Sequence, residues 1–156
     1  ARMWVGNSCA TTRGLVNVAF LRADIAELDR YFGPGEIGEI WITFPDPRPR
    51  HRDARRRLTS PRFLNTYRRL LRSDGWVRFK TDDADLFDYT LALLGNGIGA
   101  RGLAYTTDLY RSPLLTDQSA WQTRYEKRFL ERGASIKYLE FQFHGGRPAR
   151  YTTARP

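Results

Sequence analysis

The sequence predicts one α/β domain built on a largely parallel sheet, and three observations predict it. Strand patterns and helix patterns alternate along the chain, as they do where helices pack against a mostly parallel sheet. Asp24, Asp46 and Asp82 each fall just past a segment that reads as a strand, and open α/β sheets place their ligands at such carboxyl ends. The 156 residues, 41% hydrophobic and 13% aromatic, suffice for one domain with a core of its own.

The elements follow in order. Residues 2–14 read as a helix of about three turns ended by Gly14. Val18–Leu21 reads as a strand, with Asp24 just beyond it. Ile25, Leu28, Tyr31 and Phe32 repeat at helical spacing until Gly33-Pro34-Gly35 stops them. Glu39–Phe44 is the clearest strand, with Ile40, Trp41, Ile42, Thr43 and Phe44 all of high β-propensity. Pro45-Asp46-Pro47 ends it abruptly, because each proline fixes its own φ and restricts the residue before it.

Ser60-Pro61 opens the next helix, with Ser60 as cap and Pro61 at the first helical position. Phe63, Leu64, Tyr67, Leu70 and Leu71 form its apolar stripe, and Ser73-Asp74-Gly75 ends it. Trp76–Thr81 is a strand followed by Asp82 and Asp83. Leu86, Phe87, Thr90, Leu91 and Leu94 mark a helix closed by Gly95-Asn96-Gly97. Residues 100–110 hold a short strand and a loop. Trp121, Tyr125 and Phe129 lie four apart on a helix over 120–132, and Ile136–Phe143 is the last strand. The domain reads as 1–144, and 145–156 as a disordered basic tail without apolar pattern.

The charge is unevenly distributed. Net charge is +9 and Lys80, Lys127 and Lys137 are the only lysines. Between Arg48 and Arg72 there are ten arginines and one acid, Asp53. Guanidinium forks match phosphate oxygens and stack on bases, so nucleic acid is the expected partner. Asp46, in a rigid turn beside this segment, is the acid around which a function would be built, and the three strand-end acids together imply a binding cleft.

Other chemistries find little support. There is no phosphate-binding G-x-x-x-x-G-K-[ST], and Gly95–Gly99 follows a helix where a dinucleotide motif would follow a strand. One cysteine, Cys9, excludes an internal disulfide and a cysteine-based zinc site, and His51 and His144 lack metal-ligand spacing. No metal is expected. No apolar run of membrane-spanning length occurs, and Ala1–Trp4 lacks the apolar core of a signal peptide. These absences imply a cytoplasmic protein without a membrane partner; monomer and homodimer both stay open.

Several motifs in order resemble one family. Phe44-Pro45-Asp46-Pro47, the basic run to Arg57, Leu58–Leu64, Phe79-Lys80-Thr81-Asp82 and Thr123–Phe129 resemble the bacterial tRNA (guanine-N7)-methyltransferases, whose late motif is T-[RK]-[FY]-E. The similarity covers residues 1–143. It implies a Rossmann-like sheet, S-adenosyl-L-methionine as methyl donor, and methylation of N7 of a guanine in the variable loop of tRNA. Asp46 matches the family's catalytic aspartate, also near the donor, and Asp24 a donor-binding acid. Arg50 stands where a substrate-contacting lysine is usual. Arg52, Arg55, Arg56 and Arg57 match the RNA-contacting stretch. Asp82 and Thr123, Arg124, Tyr125 and Glu126 match substrate-binding positions. Arg48 replaces a frequent tryptophan.

The resemblance also implies something missing. Family members begin with a strand and a glycine-rich motif, followed by a second strand whose terminal acid holds the donor's ribose. Neither is recognisable here, and Arg2-Met3-Trp4 resembles the helix just after that second strand. The chain is therefore expected to be the family minus its N-terminal third, a truncated or cleaved product. Two readings remain at this stage: an active tRNA (guanine-N7)-methyltransferase, or a tRNA-binding fragment without catalysis. A methyltransferase of another nucleic acid is argued against by Thr123–Glu126.

Overall fold

The strands are β1 (Ile37–Thr43), β2 (Leu71–Thr81), β3 (Ala100–Thr106) and β4 (Lys137–Phe143). They form one sheet in the order β1-β2-β4-β3 in the computed structural model, which describes residues 2–144. β1 pairs parallel with β2, and β4 runs antiparallel to β2 and to β3. Thus β1, β2 and β3 share one direction, as the alternation predicts, and β4 alone is reversed. Its reversal follows from the connection before it. The helix there, Arg124–Glu131, buries only Glu126, so it is no crossover helix, and the chain re-enters the sheet from the end it left.

Helices α1 (Arg2–Thr12), α2 (Pro61–Leu70), α3 (Ala84–Gly95) and α4 (Arg124–Glu131) complete the regular structure. α2 starts at Pro61, as predicted. Ser60 precedes it with an extended backbone, but its hydroxyl donates to the Arg55 carbonyl at 3.1 Å and not to the helix end. α3 is capped by Asp83, whose Oδ1 accepts from the Leu86 amide at 2.7 Å.

The core fills one face of the sheet. Ile42 of β1, Val77 and Phe79 of β2, and Leu139, Phe141 and Phe143 of β4 meet Phe63, Leu64 and Tyr67 of α2 and Leu86, Phe87 and Leu94 of α3. Phe79 and Leu139 are fully buried, each stabilising the fold by about 2–3 kcal/mol relative to exposure. Side chains alternate along a strand. Glu39, Trp41 and Thr43 therefore face the opposite way from Ile40 and Ile42, on the side of Arg78 and Lys80.

Four expectations are corrected, the first being the end of α2: β2 already begins at Leu71, so Ser73-Asp74-Gly75 lies within the strand. Val18–Leu21 forms no strand, because strand backbone needs a ladder partner and no described strand pairs with it. Its side chains are exposed, and neighbouring Val16 is 98% exposed. Asp24 therefore closes no strand; it caps a 3-10 helix over Ile25–Arg30, accepting from the Ala26 amide at 2.9 Å. The helix expected over 120–132 is shorter, starting only after the Thr123 cap. The expected basic tail lies outside the described residues. Among those residues no helix is long and apolar enough to cross a membrane.

Candidate active site at the ends of β1 and β2

Parallel pairing brings two of the three candidate acids to one end of the sheet. Thr43 of β1 lies opposite Lys80 of β2. Asp46 follows the first strand and Asp82 the second. An apolar cleft of 260 Å³ between the 3-10 helix and β1 has Ile25 and Pro45 among its walls. These two residues neighbour Asp24 and Asp46 in sequence.

The Asp46 turn is strained at both ends. Phe44 and Arg48 have φ of 49°, the only described non-glycine residues at positive φ. A bulky residue there costs on the order of 1–3 kcal/mol, and such strain persists only where surroundings hold it. The holding groups are visible. The Phe44 amide donates to the Lys80 carbonyl at 2.9 Å, and the Phe44 ring packs on Tyr125 at 5.7 Å between centroids. Asp46 Oδ1 accepts from the Arg48 amide at 3.1 Å, and Oδ2 pairs with Arg48 Nε at 2.9 Å. The Asp46 side chain is 60% exposed, so this ion pair is worth about 0–1 kcal/mol and yields readily to a ligand.

The arginine run divides by direction. Residues 51–56 form a 3-10 helix, preceded by Arg50. Arg50, Arg52, Arg55 and Arg56 are exposed, as a phosphate-binding surface requires. Arg57 is buried at 9% exposure, with Nε and Nη2 donating to the Arg48 carbonyl at 3.3 and 3.2 Å. Its guanidinium lies 4.3 Å from the centroid of the Tyr89 ring of α3. Here the structure departs from the expectation that Arg57 contacts RNA: its fork is turned inward.

The late motif forms the opposite wall. Thr123 caps α4 in a reciprocal box: its hydroxyl accepts from the Glu126 amide at 3.1 Å, and Glu126 Oε2 accepts from the Thr123 amide at 3.2 Å. Glu126 Oε1 accepts from Lys80 Nζ at 2.9 Å and from the Tyr110 hydroxyl at 2.9 Å. Lys80 Nζ also donates to the Trp121 carbonyl at 3.0 Å. Lys80 and Glu126 are 1% and 0% exposed, so Glu126 holds the wall and touches no ligand in this arrangement. Burial, reinforced by Glu126, pushes the Tyr110 hydroxyl up to about 12. Arg124 and Tyr125 are exposed beside the Phe44 turn.

Between this wall and the sheet lies a groove of 430 Å³, lined by Glu39, Trp41, Thr43, Lys80, Trp121 and Thr123 among others. Trp121 is 80% exposed. Arg78 floors the same sheet face, paired with Glu39 and with Glu140 and bonded to Gln118 at 2.8 Å. Sequence reasoning gave no role in the site to Glu39, Trp41, Lys80 or Tyr110. Lys80 had a signal: a lysine between Phe79 and Thr81 of a strand is seldom buried unless paired.

A sequence model of a family described as putative methyltransferases matches residues 5–139. The tRNA (guanine-N(7)-)-methyltransferase of Cytophaga hutchinsonii is 48% identical over 144 residues, covering 92% of this chain and 65% of that protein. Its counterpart in Bacteroides fragilis is 44% identical over 142 residues, covering 90% and 55%. The chain thus spans about 55–65% of the length of these curated relatives. A crystal structure of a SAM dependent methyltransferase from Archaeoglobus fulgidus superposes with a TM-score of 0.50 at 8% identity, over 81% of this chain and 68% of that one. That likeness shows the Rossmann-like sheet.

Proposed function

Because the chain belongs to the family of putative methyltransferases matched by residues 5–139, we propose that it carries the catalytic turn and tRNA-binding surface of a cytoplasmic tRNA (guanine-N7)-methyltransferase. The observation that carries the reading is positional. The relatives bearing that name are 44–48% identical over about nine-tenths of the chain, and Asp46 stands in a doubly strained turn at the carboxyl end of a parallel strand.

The residues present fit part of S-adenosyl-L-methionine; the glycine-rich motif and the ribose-holding acid of the family are not recognisable in this sequence. The donor combines a sulfonium cation, ribose hydroxyls and an apolar adenine ring. Asp24, next to Ile25 in the wall of the 260 Å³ apolar cleft, would offer a carboxylate to the donor, and the cleft would take the face of its adenine. When bound, the donor supplies an electrophilic methyl group.

The chain's own residues then have little acid–base work to do. Guanine N7 carries a free lone pair and needs no base to expose it. The task is placement, holding N7 in line with the incoming methyl. Asp46 accepts hydrogen bonds from the N–H edge of the guanine, which turns N7 away from the carboxylate. As the ring becomes cationic, the same carboxylate stabilises the charge without reorganising. Asp82 and the Thr123 wall bound the base on the other side. Arg50, Arg52, Arg55 and Arg56 position the tRNA through phosphates and read no sequence.

The test is methyl transfer from labelled S-adenosylmethionine to bulk tRNA, with nuclease mapping of the label. Label on N7 of the variable-loop guanine is expected. Label elsewhere overturns the substrate. Absence of label, with tRNA bound but no donor binding, leaves this chain the binding role alone.

A further inference from the structure

The arginine at the end of the basic run serves the catalytic turn instead of the RNA. We infer that Arg57 is the positioning residue that holds Asp46 in place, a role distinct from the tRNA contacts of Arg55 and Arg56. The inference rests on the proposed function for its catalytic consequence, though not for its structural one.

Arg48 sits at φ 49° and ends the Pro-Asp-Pro segment. Its amide and its Nε both hold Asp46, so the Asp46 carboxylate is placed by the conformation of Arg48. That conformation is unfavourable for a side-chain-bearing residue and needs an external hold. The hold is on the carbonyl: Arg57 Nε and Nη2 converge on Arg48 O at 3.3 and 3.2 Å. Fixing this oxygen fixes the peptide plane after Arg48. Arg57 is itself clamped, buried at 9% exposure with its plane over Tyr89 at 4.3 Å. A planar fork that donates along one edge while stacking on its face is peculiar to arginine; lysine supplies the charge without the plane.

Burial separates Arg57 from its neighbours. Arg55 and Arg56 immediately precede it and are exposed, so the same run supplies a phosphate surface and an internal brace. The Asp46 turn is then tied to β2, through Phe44 N to the Lys80 carbonyl, and to α3 through Arg57.

The experiment compares Arg57→Lys, Arg57→Ala, Tyr89→Leu and Arg56→Ala. Three quantities are read: turnover, the salt dependence of tRNA binding, and the amide signal and exchange rate of Arg48, which lies between two prolines. Arg57→Lys is expected to lower kcat at least tenfold and speed Arg48 exchange several-fold, leaving the salt slope unchanged. Tyr89→Leu should do the same to a smaller degree, and Arg56→Ala should lower the salt slope while leaving the Arg48 signal unchanged. A fall in slope by about one for Arg57→Ala, which removes the charge that lysine keeps, with an unchanged Arg48 signal makes Arg57 a phosphate contact and overturns the inference. So does an unchanged Arg48 signal in both Arg57→Lys and Tyr89→Leu. If the unaltered chain transfers no methyl group, the proposed function is in question while the Arg48 signal still decides the role of Arg57.

Discussion

Lys80→Met removes one charge from a pair with almost no access to water. Lys80 and Glu126 are 1% and 0% exposed with 2.9 Å between charged atoms. Deleting one partner of such a pair costs about 3–5 kcal/mol, because the remaining charge is buried without compensation. Glu126 keeps the Tyr110 hydroxyl and the Thr123 amide as donors, which places the expectation near the lower limit, about 3 kcal/mol. With a urea m-value of about 2 kcal/mol/M, the unfolding midpoint falls by about 1.5 M. Urea unfolding followed by tryptophan fluorescence reads it, and Trp121, whose carbonyl receives Lys80 Nζ, lies on the segment expected to loosen first. Lys80→Met/Glu126→Leu should recover part of the loss. Recovery is incomplete because the Thr123 amide loses its acceptor, at about 1 kcal/mol. A single variant that loses less than about 1 kcal/mol would behave like an exposed pair and refute the claim that this contact anchors the Thr123 wall.

Asp46→Ala is expected to lower turnover at least a hundredfold while changing tRNA affinity less than twofold; steady-state kinetics beside filter binding checks it, and normal turnover removes Asp46 from the mechanism. Arg55→Ala/Arg56→Ala should flatten the slope of log affinity against log salt by about two, one per phosphate contact; an unchanged slope counts against the basic surface. Tyr110 has a folded pKa of about 12 against an ordinary value of 10. Its contribution to stability is therefore complete below pH 10 and lost as pH rises towards 12. Denaturation midpoints between pH 9 and pH 12 should fall less steeply in Tyr110→Phe than in the unaltered chain, and equal slopes would show that Tyr110 titrates normally.

Local chemistry made parts of this site legible. Five strand formers running into Pro45-Asp46-Pro47 fixed both β1 and the turn, because propensity and proline geometry act within a few residues. Ser60-Pro61 marked the start of α2 for the same reason, although the Ser60 hydroxyl went to Arg55. Thr123 and Glu126 came from the resemblance, and their capping box is a local i, i+3 device. Val18–Leu21 failed because a strand is a property of a pair, and no described strand lies beside that segment. Arg57 failed because the sequence shows a run of like charges without showing which members turn inward. Tyr110 was out of reach: its link to Glu126 spans 16 residues and depends on the path of the connection between β3 and β4.

The charges that count most here are those withdrawn from solvent. Exposed arginines supply long-range attraction to a polyanion, which salt screens and which needs no exact geometry. Placement of a base against a methyl group tolerates little displacement, and it is the buried charges that provide the rigidity. Arg57 fixes the carbonyl behind Asp46, and Lys80 and Glu126 fix the wall that carries Thr123. Both braces reach β2 or the helix after it, since Lys80 belongs to β2 and Tyr89 to α3. The two sides of the site are therefore referenced to one central strand and its helix. A substitution that moves that strand shifts Asp46 and Thr123 together, whereas loss of either brace moves one against the other. On this reasoning turnover is more sensitive to loss of one brace than to an equal loss of global stability, and Arg57→Lys compared with a core variant such as Leu86→Val separates the two effects.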